Sequence, residues 1–192
     1  MTATDPIAAA DARPRAWARG AAGMLALGAT VGSLLDGIHT FSGVTAYAHP
    51  VVLRTAWWVP LLFAGAYAIG LLRPLLDRGP SPSGRTVSIA FGLFALAYAL
   101  SVLPLAWPLV AAVLTGIFFV SFVACDRTPL GLAIALLASV GGPLFEAALV
   151  RTEVFVHTRP ALLGVSGWLP QLYLSAAIAL QATAKWLVDG RR

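Results

Sequence analysis

The sequence predicts an all-α polytopic membrane protein, with six transmembrane helices and both termini cytoplasmic. Three observations predict it. First, 59% of the 192 residues are hydrophobic and only 11% are charged, with a mean hydropathy of +0.83, whereas a soluble domain carries about 25% charged residues. A chain this apolar cannot wet its own surface, so lipid must be its solvent. Second, apolar runs long enough to cross the ~30 Å hydrocarbon layer recur along the chain and leave no stretch for a separate soluble domain. Third, basic residues fall mostly on one side of that pattern.

Residues 1–19 form a polar tail carrying Arg13, Arg15 and Arg19; the six-helix domain covers 20–188 and a short tail 189–192. The first dozen residues read as disordered, and helix one is expected from about Ala21 to Ile38. Arginines followed by an apolar run imitate a signal peptide, with Ala46-Tyr47-Ala48 as a small-residue site. The run is longer than a signal h-region and the site lies well past its end, so the segment reads as a retained helix. A loop holding His39, His49 and Arg54 follows. Helix two, about 56 to 72, is the clearest span. Trp57 and Trp58 favour the headgroup level, Pro60 sits in the first turn where its missing N–H does no harm, and Arg73, Asp77 and Arg78 stop the helix. A Pro/Ser/Gly-rich linker leads to helix three, about 86 to 102. Pro104 ends it and helix four begins almost at once at Trp107-Pro108, so the two form a tight antiparallel hairpin. Helix four ends at Cys125-Asp126-Arg127, and helix five spans about Leu130 to Val150. A loop over Arg151 to Ser166 precedes helix six, which opens at Trp168-Leu169-Pro170 and closes over Lys185 to Arg192.

With the N-terminus inside, ten basic residues fall on the inner side (Arg13, Arg15, Arg19, Arg73, Arg78, Arg85, Arg127, Lys185, Arg191, Arg192) and three on the outer side (Arg54, Arg151, Arg159). That is a strong positive-inside bias, and two cytoplasmic termini require an even number of helices. The even helices share a frame: each opens with Trp and Pro (Trp58/Pro60, Trp107/Pro108, Trp168/Pro170) and closes with Asp (Asp77, Asp126, Asp189). This reads either as an irregular repeat of helical hairpins or as independent recruitment of interface residues.

Several function classes fall away. The net charge of +5 is spread over loops, with no basic face interleaved with aromatics, so no nucleic-acid partner is expected. The single Cys125 excludes an intrachain disulfide and a multi-cysteine metal site. His39, His49 and His157 are scattered in outer loops without metal-ligand spacing, and no metal or other cofactor is expected. With no phosphate-binding glycine loop and no G-x-S-x-G motif, the chain does not read as an enzyme. Helix centres free of charge argue against an ion pump. They hold small residues instead, Ala64-Gly65-Ala66, Gly116 and Gly141-Gly142-Pro143, which either pack helices closely or open a cavity suited to a lipid or sterol. Asp36, His39 and Glu146 all lie near the outer interface, where they either sit in wet interface or grip a headgroup hydroxyl. Asp77, Asp126 and Asp189 lie at helix C-termini. They either pair with neighbouring arginines, with Asp126 also a candidate cap for helix five, or offer a docking point for a partner.

Ala56-Trp57-Trp58-Val59-Pro60 followed by Gly70-Leu-Leu-Arg-Pro74-Leu-Leu-Asp77-Arg78 resembles the second helix of the insulin-induced gene (Insig) proteins. Asp126-Arg127 with Gly131-Leu-Ala-Ile-Ala-Leu-Leu-Ala-Ser139 is similar to that family's fourth loop and fifth helix, and Trp168-Leu169-Pro170 to the start of its last. The ordered set covers about residues 17 to 188. The resemblance implies a six-helix membrane protein that binds a sterol-like ligand and holds partner membrane proteins, which in the family are Scap and HMG-CoA reductase. It places a partner-binding role on Asp126. With the reading above, the candidate ligand-binding residues are Asp36, His39, Trp58, Ser139 and Glu146. The Arg-, Ala- and Gly-rich composition points to a bacterial inner membrane; a eukaryotic source would imply the endoplasmic reticulum. A bacterial setting favours a neutral diacyl lipid such as a diacylglycerol, or a sterol analogue. The family's ubiquitin-linked lysines are missing, since Lys185 is the sole lysine. Two alternatives stay open: a small membrane enzyme acting on a lipid through Asp36, His39 and Glu146, and a carrier of an uncharged solute.

Overall fold

The computed structural model describes residues 6–190, with side chains from residue 13 onward. Residues 1–5 of the tail lie outside the described residues, as do Arg191 and Arg192 of the inner basic set. Six helices are present among the described residues. Helix α1 comprises Pro6–Leu27, a π-helical turn Gly28–Gly32 and Ser33–Phe41; α2 comprises Val59–Ala68, a 3₁₀ turn Ile69–Leu71 and Leu72–Leu76. Then come α3 (Gly84–Ser101), α4 (Trp107–Cys125), α5 (Pro129–Val150) and α6 (Leu169–Asp189). The first helix thus begins before Ala21 and runs past Ile38, which makes His39 a helical residue and not a loop one.

Five of the helices are long and apolar enough to cross a membrane; α6 is the exception. The reason is its position. It packs against α1, α3, α4, α5 and the inner end of α2, so it meets protein where the others meet lipid. Ser175, Gln181, Thr183 and Lys185 are all buried along it. The outer helices show the opposite pattern, with Leu61, Phe119 and Leu137 exposed to the hydrocarbon. Trp57 and Trp107 are exposed at the outer ends of their helices, at headgroup level.

The two longer outer loops form a feature not anticipated from the sequence. Strand β1 (Thr45–Tyr47) pairs antiparallel with β2 (Phe155–His157), with Ala46 opposite Val156 at the centre. Each strand is followed by a small bridged turn, Val52↔Thr55 in one loop and Leu162↔Val165 in the other. Both turns carry two consecutive left-handed residues, Leu53-Arg54 and Leu163-Gly164, as a type I′ turn requires.

These loops are copies of one another, 110 residues apart (46 to 156). Pro50, Leu53, Trp58 and Pro60 recur as Pro160, Leu163, Trp168 and Pro170. The hydrogen bonds recur as well: Ala48 N–H to Val154 O matches Thr158 N–H to Val44 O, and Val51 N–H to Thr55 O matches Ala161 N–H to Val165 O. Extended backwards, the register equates Gly32 with Gly142 and Asp36 with Glu146; extended forwards, it equates Phe63 with Tyr173 and Ala66 with Ala176. The α1–β1–α2 and α5–β2–α6 units are therefore related by a local two-fold axis passing between Ala46 and Val156. The third member of the even-helix frame, Trp107/Pro108, falls outside this relation, because α4 follows a tight turn without a strand. Glycine permits the packing: a Cβ on Gly28 would lie 2.2 Å from the Phe63 carbonyl oxygen, so the π turn of α1 can press on α2 only without one.

Candidate functional site

On this two-fold axis lies a cavity of about 150 Å³, walled by α2 and α5, backed by α6 and closed at the outer end beneath the β1–β2 pair. Equivalent residues from the two halves line it: Asp36 and Glu146, Thr45 and Phe155, Phe63 and Tyr173, Ala66 and Ala176. Its outer end is polar and its shaft apolar, with Leu62, Ile69, Ile134, Ala138, Phe145 and Leu172 running inward to Gln181. Ile69 and Phe145 line the cavity yet are also 53% and 50% exposed to the surroundings. The cavity therefore opens sideways to lipid between α2 and α5.

At the polar end the two halves make the same interaction with different residues. Tyr47 of β1 donates its hydroxyl to Asp36 Oδ2 at 2.9 Å, and His157 of β2 meets Glu146 Oε2 at 2.9 Å through Nε2. Burial, together with the neighbouring Asp36, pushes the Tyr47 phenol well above its ordinary range, so it stays protonated and donates. Glu146 Oε1 also accepts from Tyr173 at 2.7 Å. The Tyr173 ring reaches there because it lies over Gly142, where a Cβ would sit 2.2 Å from the ring. His39 stacks on Tyr98, with ring centroids 4.7 Å apart, and its Nε2 lies 2.8 Å from Ser101 Oγ. Two more lining groups, Thr45 Oγ1 and Tyr67 OH, are buried without a hydrogen-bond partner among the described residues.

Asp36, His39 and Glu146, expected near the outer interface, are thus brought together around one cavity rather than dispersed in wet interface. Trp58 packs on Tyr47, ring centroids 5.5 Å apart, at the edge of the outer cap and not in the cavity wall. Ser139 is buried in α5, hydrogen-bonded to Leu136 O of its own helix, and does not line the cavity. Sequence reasoning missed Tyr47, Thr45, Tyr67 and Tyr173. The alternation Thr-Ala-Tyr and Phe-Val-His, repeated at the same distance before each Trp-x-Pro, was the available signal.

Ser166, His157 and Glu146 form a hydrogen-bonded series, with His157 Nδ1 3.0 Å from Ser166 Oγ. The order is that of a hydrolytic triad, but Ser166 is buried and neither it nor His157 lines the cavity. The series anchors β2 to α5 and offers no nucleophile to a bound ester. No group of three His, Cys, Asp or Glu side chains suited to a metal occurs among the described residues.

The inner end holds a separate charge network. Arg73 donates to Asp126 Oδ2 at 2.7 Å and to Asp77 Oδ2 at 3.0 Å, and Lys185 lies 3.3 Å from Asp77 and 3.5 Å from Asp189. Pairing with the adjacent Arg78 and Arg127 is thus replaced by i,i+4 pairs along the chain, Arg73–Asp77 and Lys185–Asp189, and by pairs across helices, Arg73–Asp126 and Lys185–Asp77, with Arg73 and Lys185 themselves buried. Thr128, not Asp126, caps α5 by accepting from Gly131 N–H, while Asp126 Oδ1 accepts from the Thr128 N–H and hydroxyl.

No family model matches this chain, and no curated protein matches it. Among solved structures, an Insig homologue from Mycobacterium vanbaalenii shares the fold, with a TM-score of 0.81 at 24% identity over 90% of this chain and 96% of that one. A cross-linked trimer of a cysteine variant of that protein matches equally well, with the same TM-score, identity and coverage. At this identity the likeness speaks for the fold, and the fold is that of a polytopic membrane protein: this chain has the Insig-like fold.

Proposed function

We propose that this protein binds a lipid or sterol-like amphiphile in the cavity between α2 and α5, polar end outward. The supporting observation is the gradient along the cavity. Most hydrogen-bonding groups cluster under the outer cap, and the shaft is lined mainly by hydrocarbon as far as Gln181 at its inner end. Two carboxyl groups and no Arg or Lys line the cavity, which suits a neutral head and disfavours an anionic one. A neutral diacyl lipid meets both requirements in a bacterial inner membrane. A membrane-protein partner docking directly on Asp126 has less support, because both of its oxygens are engaged within the chain.

The test is mass spectrometry of lipids retained after gentle detergent purification, for the wild type and for Ala66→Trp, which places an indole in the shaft. One stoichiometric species kept by the wild type and lost from the variant is expected. Bulk lipid in bulk proportions from both would refute the proposal.

A further inference from the structure

The two-fold relation supplies an internal control for the polar end of the cavity. On the Glu146 side both carboxyl oxygens are engaged, Oε2 by His157 and Oε1 by the Tyr173 hydroxyl. On the Asp36 side Oδ2 is engaged by Tyr47, and Oδ1 has no partner among the described residues. The residue equivalent to Tyr173 is Phe63, which has no hydroxyl to give. Phe63 lies against Gly32 through Cβ, Cγ and Cδ1, whereas Tyr173 lies against Gly142 through Cδ1, Cε1 and Cζ, farther along its ring. Gly32 and Gly142 each precede the carboxyl residue by one helical turn. One half-site is closed by its own side chains, and the other is closed except for a single acceptor.

We infer that Asp36 determines the cavity's specificity: its Oδ1 accepts a hydrogen bond from a free hydroxyl on the ligand's polar end, so lipids whose hydroxyl is esterified or phosphorylated are discriminated against. The inference rests on the lipid-binding reading above and narrows it to hydroxyl-bearing neutral amphiphiles. Two observations carry it together. Asp36 is 5% exposed and lines the cavity, so its second oxygen looks to the cavity and not to the aqueous surface. With no lysine or arginine in the lining, a phosphate placed against Asp36 and Glu146 would meet carboxyl groups without a compensating cation.

The experiment measures binding of three probes to the purified full-length chain in detergent micelles by titration with native mass spectrometry: dioleoylglycerol, its acetate ester and dioleoyl phosphatidic acid. The wild type is expected to bind the free alcohol about ten- to hundredfold more tightly than either capped form, the value of one hydrogen bond to a carboxylate. Asp36→Asn turns an acceptor into a donor and should bring alcohol and acetate to within about threefold of each other. Phe63→Tyr adds a phenol to the cavity wall that Asp36 shares, competes with the ligand hydroxyl as a donor and should do the same; it adds one oxygen to an existing ring and so serves where Asp36→Asn fails to fold. A wild-type preference that survives both variants overturns the inference. Equal wild-type affinity for all three probes, lost in Ala66→Trp, overturns it while leaving the lipid-binding reading intact. Affinities unchanged by Ala66→Trp sink that reading and the inference with it.

Discussion

Replacing Arg73 by Met is expected to destabilise the protein more than any single change on its lipid-facing surface. The Arg73 side chain is 9% exposed and donates to Asp126, Asp77 and Gln181 at 2.7, 3.0 and 3.5 Å. Asp126 is only 8% exposed. Without Arg73 its charge is left in a place water barely reaches, balanced by the two Thr128 donors alone. Removing one partner of a buried pair costs about 3–5 kcal/mol. Asp77 is 25% exposed and keeps Lys185 nearby, so the lower end, about 3 kcal/mol, is expected. At ~2–4 °C per kcal/mol for a chain of this size, Tm falls by about 6–12 °C. Adding Asp126→Asn removes the stranded charge, so the double variant should recover about 1–2 kcal/mol of the loss, the coupling of residues in direct contact. Thermal unfolding followed by tryptophan fluorescence in one detergent gives all four corners of the cycle. Strictly additive losses would refute the reasoning, since they would mean that the two side chains do not interact.

Further predictions follow from neighbouring groups. Glu146→Ala should cost about 2–4 kcal/mol by stranding His157 Nε2 and the Tyr173 hydroxyl, whereas Glu146→Gln, which keeps an acceptor, should cost about 1; equal losses in the same melt would contradict the geometry. Asp77 is held below the ordinary carboxylate range by the Gly79 N–H first, then by Arg73 and Lys185. A lowered folded-state pKa stabilises above the unfolded value of about 3.9 and loses that contribution as pH falls through the folded one. The acid limb of the Tm–pH profile should therefore be shallower in Asp77→Asn than in the wild type, and identical limbs would show that Asp77 is not the group responsible. In a Cys125→Ser background, cysteines at Val52 or Leu162, both exposed in outer loops, should react with a membrane-impermeant maleimide from outside intact cells. A cysteine at Gly79 should react only after lysis; the reverse would invert the orientation.

The six-helix frame was legible because lipid imposes one rule on every outward face: each span must be apolar from end to end. Val59–Leu76 and Trp107–Cys125 follow that rule, and their interfacial tryptophans marked their ends. Helix α6 was recognised through Trp168 and Pro170, not through its hydropathy, because a helix surrounded by protein is free of the rule. The partner of Asp126 was illegible for a different reason. Ion pairs between neighbours along the chain are visible in a sequence, whereas Arg73 reaches Asp126 across 53 positions. The β1–β2 pair was hidden by its length: three residues per strand carry too little alternation to be read singly, and only the two loops compared together reveal it.

The lateral opening follows from how the two-fold relation is broken. The α3–α4 hairpin sits between the two related units in sequence, and in space both of its helices pack on α6; on the other unit, α3 reaches the outer part of α1. It covers the second unit's inner helix and leaves α2, its counterpart, facing lipid. This explains why α6 could acquire Ser175, Gln181 and Lys185 while α2 stayed apolar as far as Arg73. It also explains the asymmetry at the polar end. A cavity on a two-fold axis begins with two equivalent acceptors, and in the proposed complex a single headgroup occupies one of them. The other would then remain as an unpaired carboxyl within the membrane, at a cost of several kcal/mol. His157 and Tyr173 remove that cost on the Glu146 side. On the Asp36 side, Tyr47 answers one oxygen and Phe63 leaves the second for whatever enters between α2 and α5.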